Sequence, residues 1–136
     1  MSLWQACLLS IFALASAGAS AAAPMGSQKI LTVDAEYLES TMPLYAAVDK
    51  QAAALKKDAD DERRSDIELA RQIRVSDILT ALPEAIAEVA TARQADLVLD
   101  RAVARRIAVS VDADITADIE RQLSLQFGGR ALELDP

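Results

Sequence analysis

The segment 85–127 constrains the fold most, because several kinds of hydrophobic pattern follow one another within it. A helical pattern comes first, and a short apolar run at 96–100 follows it. Apolar residues then alternate with small ones over 107–111, which is typical of a strand. Helical spacing returns after residue 114. This order predicts a helix, two short strands and a closing helix.

The closing helix has one apolar face, formed by residues at every fourth position: Ile115, Ile119, Leu123 and Phe127. Thr116 is predicted to cap its N-terminus, since a threonine hydroxyl accepts a hydrogen bond from a free helix amide. Gly128 and Gly129 are predicted to end it, because glycine readily adopts the left-handed conformation that is common after a helix.

Composition excludes several kinds of chemistry. The 136 residues include no histidine, and the one cysteine, Cys7, lies near the N-terminus. Thiol nucleophiles, imidazole bases and Cys/His zinc sites are therefore not expected, and we predict no enzymatic activity, cofactor or metal. The net charge is −7, from 14 basic and 21 acidic residues. This balance disfavours nucleic acid as a partner, because phosphate binding needs clustered cations.

Residues 1–23 are predicted to be a cleaved signal peptide. A short apolar core precedes Ala19-Ser20-Ala21, the pattern of small residues that signal peptidase requires. A membrane anchor is the alternative, but the apolar run is short for a span of ~20 residues. The rest of the chain, 24–136, is predicted to be a single exported domain without a stable membrane anchor.

The middle of the chain is predicted to form one strand and a long helical region. The strand is expected at 28–34, and helical spacing runs from Glu36 to residue 90 on either side of a charged cluster at 56–66. Either a single long helix or an antiparallel hairpin fits this pattern. The hairpin is favoured if both ends join one sheet, with its tip near Arg64 and arms of ~25–30 residues.

Pro83 interrupts the second helical stretch, since proline removes a helix hydrogen bond and clashes with the preceding turn. One interpretation is a bend or hinge at the base of the arms. The other is that Thr80 or a neighbour caps a new helix starting near Pro83.

The polar clusters favour structural roles. Asp60, Asp61 and Glu62 are adjacent carboxylates in a charge run, which is usually a solvated helix face or tip. Asp112 and Asp114 have the spacing that begins a calcium loop, but the acidic residue and glycine that should follow are missing, so capping is preferred. Three arginines either hold an anion, such as a lipopolysaccharide phosphate, or pair with acids: Arg101, Arg105 and Arg106.

Four segments, in this order, resemble the OmpH/Skp family of periplasmic chaperones: KILTVD at 29–34, AIAEVA at 85–90, DLVLD at 96–100 and DITADI at 114–119. The resemblance implies an α+β fold, with a small β-sheet body that is barrel-like when trimeric and a projecting antiparallel α-helical hairpin arm. It places the body at 28–37 and 84–132 and the arm at 38–83. It also implies a homotrimer.

The same resemblance implies an ATP-independent holdase chaperone in the periplasm, which binds unfolded outer-membrane proteins in a cavity between helical arms. No cofactor is implied. The expected contacts to clients are cations of the arm: Lys50, Lys56, Lys57, Arg63, Arg64, Arg71 and Arg74. The alternative is a trimeric structural or adaptor protein of the cell envelope that binds one specific partner through its arms.

Overall fold

The structure, a computed structural model, describes residues 12–13 and 28–134. The predicted signal peptide, 1–23, lies outside the described residues except at 12–13. The described elements are four strands, a π-helical turn and four α-helices. In chain order they are β1 (Phe12–Ala13), β2 (Ile30–Val33), the π-helical turn (Tyr37–Thr41), α1 (Pro43–Lys56), α2 (Asp61–Ala92), β3 (Leu97–Asp100), α3 (Arg101–Ile107), β4 (Ala113–Asp114) and α4 (Thr116–Phe127).

The sheet is open and has the strand order β1-β3-β2-β4. β2 is the middle of three parallel strands: Ile30 pairs with Leu97 of β3, and Leu31 pairs with Ala113 of β4. β1 pairs with β3 in the antiparallel sense. Parallel strands need crossover connections, and helices lie in them here: α1 and α2 come between β2 and β3, and α3 comes between β3 and β4, which lie on either side of β2.

The chain divides into two compact units, which we call the sheet unit and the helical unit. The sheet unit consists of Met1–Ala35 and Ile86–Ile119, and the helical unit consists of Glu36–Ala85 and Glu120–Pro136. Each unit has its own large, fully buried side chains. They are Leu31, Ile115 and Ile119 in the sheet unit, and Leu38, Met42, Ile67, Ile78, Leu82 and Leu123 in the helical unit.

The two longer strands of the sheet unit, β2 and β3, are largely buried because they are almost wholly apolar. Leu31, Thr32 and Val33 of β2 are buried, as are Val98 and Leu99 of β3. Strands that are covered on both faces have continuous apolar runs, which is typical of parallel sheets. Burial on both faces therefore accounts for the short apolar runs of β2 and β3.

The helical unit begins with the π-helical turn, and residues 57–60 separate α1 from α2. The Tyr45 hydroxyl donates a hydrogen bond of 2.6 Å to the carbonyl of Leu38, which links α1 to the π-helical turn. Burial raises the pKa of Tyr45 to about 12. The carboxylate of Asp60 accepts a hydrogen bond of 2.8 Å from the N–H of Arg63 and caps the start of α2.

The predicted fold, a barrel-like body with a projecting antiparallel hairpin arm, is wrong. The protein is mixed α/β, with four α-helices and an open sheet in which three strands are parallel. Arms of equal length do not form, because α1 has 14 residues and α2 has 32. The first helical stretch is shortened by the π-helical turn and Met42, which precede α1. The single long helix is wrong as well, since residues 57–60 interrupt it.

The strand predicted at 107–111 does not form, which removes a strand that the expected body requires. α3 occupies the start of this segment, because the carboxylate of Asp100 caps it and accepts a hydrogen bond of 3.1 Å from the N–H of Ala102. Ala108 ends α3 in the left-handed conformation, with φ of 55°. Ile107 is exposed, so the alternating pattern does not mark a buried face.

One predicted end of the closing helix is wrong and the other is confirmed. Thr116 is the first residue of α4 rather than its cap, and its hydroxyl accepts a hydrogen bond of 2.9 Å from the N–H of Asp34. α4 ends just before the two glycines, as predicted, and Gly129 is left-handed with φ of 74°. A Cβ on Gly128 would lie 2.3 Å from the carbonyl oxygen of Ser124, so a side chain there would displace the helix end.

α2 continues through Pro83, so the alternative of a new helix starting there is wrong. Pro83 itself is exposed. A bend or hinge at this residue stays a prediction, and so do the predicted domain boundaries.

Candidate functional site

The parallel strands bring three aspartates to one edge of the sheet. Asp34 follows β2, Asp100 ends β3 and Asp114 ends β4. In open sheets of parallel strands, ligands bind beyond the carboxyl ends of the strands. This carboxyl edge is therefore the first candidate site, and its chemistry depends on what its polar groups already bind.

Arg101 lies between two of these aspartates. Its Nη1 is 3.3 Å from Oδ2 of Asp34, and its Nη2 is 3.1 Å from Oδ2 of Asp114. Asp100 accepts hydrogen bonds from two backbone N–H groups, both at 3.1 Å. Of the two roles predicted for Arg101, pairing with acids is the one observed.

Asp114 accepts hydrogen bonds from three residues. The Thr32 hydroxyl donates at 2.8 Å and the Thr116 N–H at 3.1 Å, and Arg101 donates from its Nε at 3.2 Å. Burial opposes the charge on this carboxylate, but the hydrogen bonds outweigh burial and lower the pKa of Asp114 below its ordinary value. A carboxylate that stays ionised is unsuited to act as a general acid near neutral pH.

The amino ends of the strands are secured in the same way. Asp96 accepts a hydrogen bond of 2.7 Å from the N–H of Lys29, and Asp112 accepts one of 2.8 Å from the N–H of Ile30. Within residues 12–13 and 28–134, no group of three or more acidic, histidine or cysteine side chains is arranged to hold a metal ion. The aspartates at both edges therefore act as links between strands.

A second candidate site lies on α2. Leu69 is 58% exposed and Ile73 is 52% exposed, and their spacing of four residues places them on one helix face. We call this pair the α2 apolar surface. Leu55, near the end of α1, is also exposed. Side chains of this kind are most often buried, and neighbouring exposed ones mark a surface available for binding.

The seven cations predicted to bind clients differ in how available they are. The exposed ones are Lys50, Lys57, Arg63 and Arg64. Lys56 and Arg71 are both held by Glu68, each with an N–O distance of 2.7 Å. Arg74 is buried. Their role in client binding stays a prediction, and the four exposed side chains are the ones free to meet a client without breaking these contacts.

The sequence pattern did not single out the α2 apolar surface. Leu69 and Ile73 stand close in sequence to Ile67 and Ala70, two apolar residues that are buried. The signal that separates them is angular, because residues two positions apart lie about 200° from each other around a helix axis. Leu69 and Ile67 therefore cannot face the same core.

No family model, no curated protein and no solved structure matches this chain. The resemblance of its four segments to the OmpH/Skp family thus stays a prediction. None of the helices formed by the described residues combines the length and the apolar character needed to cross a membrane.

Proposed function

We propose that this protein is an ATP-independent holdase, a non-catalytic binder of unfolded polypeptide. The observation that carries the proposal is the α2 apolar surface, Leu69 and Ile73, together with the exposed Leu55. Unfolded chains expose apolar side chains that folded proteins bury, and these are the groups that such a surface attracts. Outer-membrane proteins as clients, and the periplasm as location, are proposals that rest on the resemblance of the four segments.

An ion pair links the helix segment that carries Leu55 to the segment of α2 that carries Leu69. Lys56 follows Leu55, and its Nζ is 2.7 Å from a carboxylate oxygen of Glu68, which precedes Leu69. The end of α1 and this part of α2 are therefore close together. Exposed apolar side chains on both helices, among many charged residues, suit transient contact with many different segments.

The expected binding is weak at each contact. Fully burying a leucine or isoleucine side chain contributes about 1.5–3 kcal/mol. Since Leu69 and Ile73 are already about half buried, a client adds roughly 1 kcal/mol at each side chain. The exposed cations Lys57, Arg63 and Arg64 add a salt-screened attraction for acidic segments. Weak contacts of this kind let a client leave without ATP.

The test dilutes a urea-unfolded outer-membrane β-barrel protein into buffer that contains the purified protein, and light scattering reports aggregation of the client. We expect scattering to fall as the ratio of protein to client rises. A double variant, Leu69→Ser with Ile73→Ser, should need about tenfold more protein for the same effect. The matched control is Leu125→Ser, since Leu125 is exposed but the other large apolar side chains of α4 are buried, so it forms no pair and should matter little.

Scattering that stays unchanged at a large excess of wild-type protein contradicts the proposal, as does an equal loss of activity in the Leu125→Ser control. The adaptor alternative has a different signature, namely nanomolar affinity and a fixed stoichiometry with one folded partner. Sedimentation of the same samples gives the oligomeric state, for which the homotrimer stays a prediction.

A further inference from the structure

The C-terminal segment 130–134 is irregular and belongs to the helical unit. It follows Gly129, whose left-handed conformation turns the chain after α4. Leu132 is only 8% exposed, whereas the residues on either side of it are exposed. Leu132 is therefore the buried side chain of this segment, and Leu134 is half-buried.

The backbone of the segment is held by Arg74, a residue of α2 that is only 8% exposed. Its Nη1 donates to the carbonyl of Arg130 at 3.2 Å, and its Nη2 donates to the carbonyl of Ala131 at 3.0 Å. Gln51 also donates to the carbonyl of Arg130, at 3.1 Å. The ion pairs among the described residues do not include Arg74, so this buried cation is partnered by backbone carbonyls.

Recognition of this kind does not depend on which residues occupy positions 130 and 131. Every polypeptide offers backbone carbonyls, and only the position of Leu132 selects a side chain. Peptide-binding domains combine the same two elements, namely hydrogen bonds to the main chain for affinity and a side-chain pocket for specificity. A buried guanidinium also needs acceptors at all times, because leaving it unpaired is strongly unfavourable.

We propose that the surface against which residues 130–132 pack, including Arg74 and Gln51, is a peptide-binding site. The protein's own segment 130–134 is its resident occupant. The ligand is an extended segment of another protein in which a leucine follows two residues of any type. Arg74 and Gln51 donate to the carbonyls of those two residues, and the leucine takes the position of Leu132. The site shares no residue with the α2 apolar surface, so it stands whether or not that surface binds clients.

The resident segment competes with every ligand. Because it belongs to the same chain, its effective concentration at the site is on the order of millimolar. Gly128 and Gly129 provide a flexible connection through which it can leave while α4 stays intact. Weakening the contact of Leu132 should therefore open the site to a peptide added from solution.

The test uses the full chain carrying Leu132→Ser and a fluorescein-labelled peptide with the sequence of residues 128–134, followed by fluorescence anisotropy. We expect this variant to bind the peptide about tenfold more tightly than the wild-type chain does, because its own segment no longer fills the leucine position. Adding Arg74→Gln should abolish the gain. A peptide with serine in place of Leu132 should not bind, and one with residues 130 and 131 exchanged should bind equally well.

The matched control adds Leu69→Ser and Ile73→Ser to the Leu132→Ser chain, and peptide binding should be unchanged. The proposal is overturned if a Leu132→Ser chain that is folded by circular dichroism binds no better than wild type, or if Arg74→Gln has no effect. If Leu132→Ser does not fold, hydrogen exchange of the wild-type chain decides. Excess unlabelled peptide should speed exchange at 131–134, and unchanged exchange overturns the site.

Discussion

The interactions that stabilise the sheet unit internally differ from those that stabilise the helical unit. At the strand ends of the sheet unit, aspartate side chains bond backbone amides: Asp96, Asp100, Asp112 and Asp114. The helical unit contains six of the nine largest fully buried side chains. A helix satisfies its own backbone groups, whereas strands of two to four residues leave their ends in need of other partners.

This difference shows where binding groups are available. The carboxylates of the sheet unit are occupied in joining strands, even at the edge where many α/β proteins bind ligands. In the helical unit, the apolar core does not include every large apolar side chain of α1 and α2, and Leu55, Leu69 and Ile73 stay exposed. Three variants test the contrast, starting with the largest expected effect.

The first prediction concerns the apolar core of the helical unit. Ile78→Ala should lower the free energy of unfolding by about 2–5 kcal/mol, because Ile78 is fully buried and its removal leaves a cavity. The matched control on the same helix is Ile73→Ala, at an exposed position, where a change within about 0.5 kcal/mol is expected. Urea unfolding measures both. Equal effects of the two variants would show that apolar packing does not hold this unit together.

The second prediction concerns the carboxyl edge of the sheet unit. Asp114→Asn should lower the free energy of unfolding by about 1–2 kcal/mol, since it weakens charged hydrogen bonds at a side chain that is partly open to solvent. Hydrogen exchange should speed up in β2 more than in α1. Asp77→Asn, at an exposed position on α2, is the control and should change little. Faster exchange in α1 alone would contradict a linking role for Asp114.

The third and smallest prediction is the acid dependence of an ion-pair cluster in the helical unit. Hydrogen bonds from Arg71 and Lys56 lower the pKa of Glu68 from an ordinary value of 4.5 to about 2. A carboxyl group whose pKa is lower in the folded protein stabilises the folded state when the pH is above 4.5. This contribution is lost as the pH falls from 4.5 through about 2. Wild type should therefore exceed Glu68→Gln in urea midpoint at pH 7, and the difference should vanish near pH 2.

The control for this measurement is Glu62→Gln, at an exposed carboxylate in the first turn of α2. Its difference from wild type should be smaller at pH 7. Salt should also reduce the effect of Glu68→Gln, because ion pairs near the surface are screened. A difference that persists unchanged down to pH 2 would rule out charge as its origin.

Several elements were predictable because their signals are local. β2 lies within the predicted strand at 28–34, and β3 lies within the apolar run at 96–100. The segment 107–111 misled the prediction, because alternation over five residues also fits a short helix followed by an exposed loop. The Asp100 cap favoured the helix, and Ile107 and Val111 of the alternating pattern are exposed.

Residue order was sufficient for features that depend on a few neighbouring positions, such as the apolar strands and the glycines that end α4. Tertiary structure decided which groups meet across long stretches of chain. Arg74 donates hydrogen bonds to the carbonyls of residues 130 and 131, and Asp114 accepts one from Thr32 across the sheet. Local periodicity does not specify strand partners or their direction, because these depend on how distant segments pack against one another.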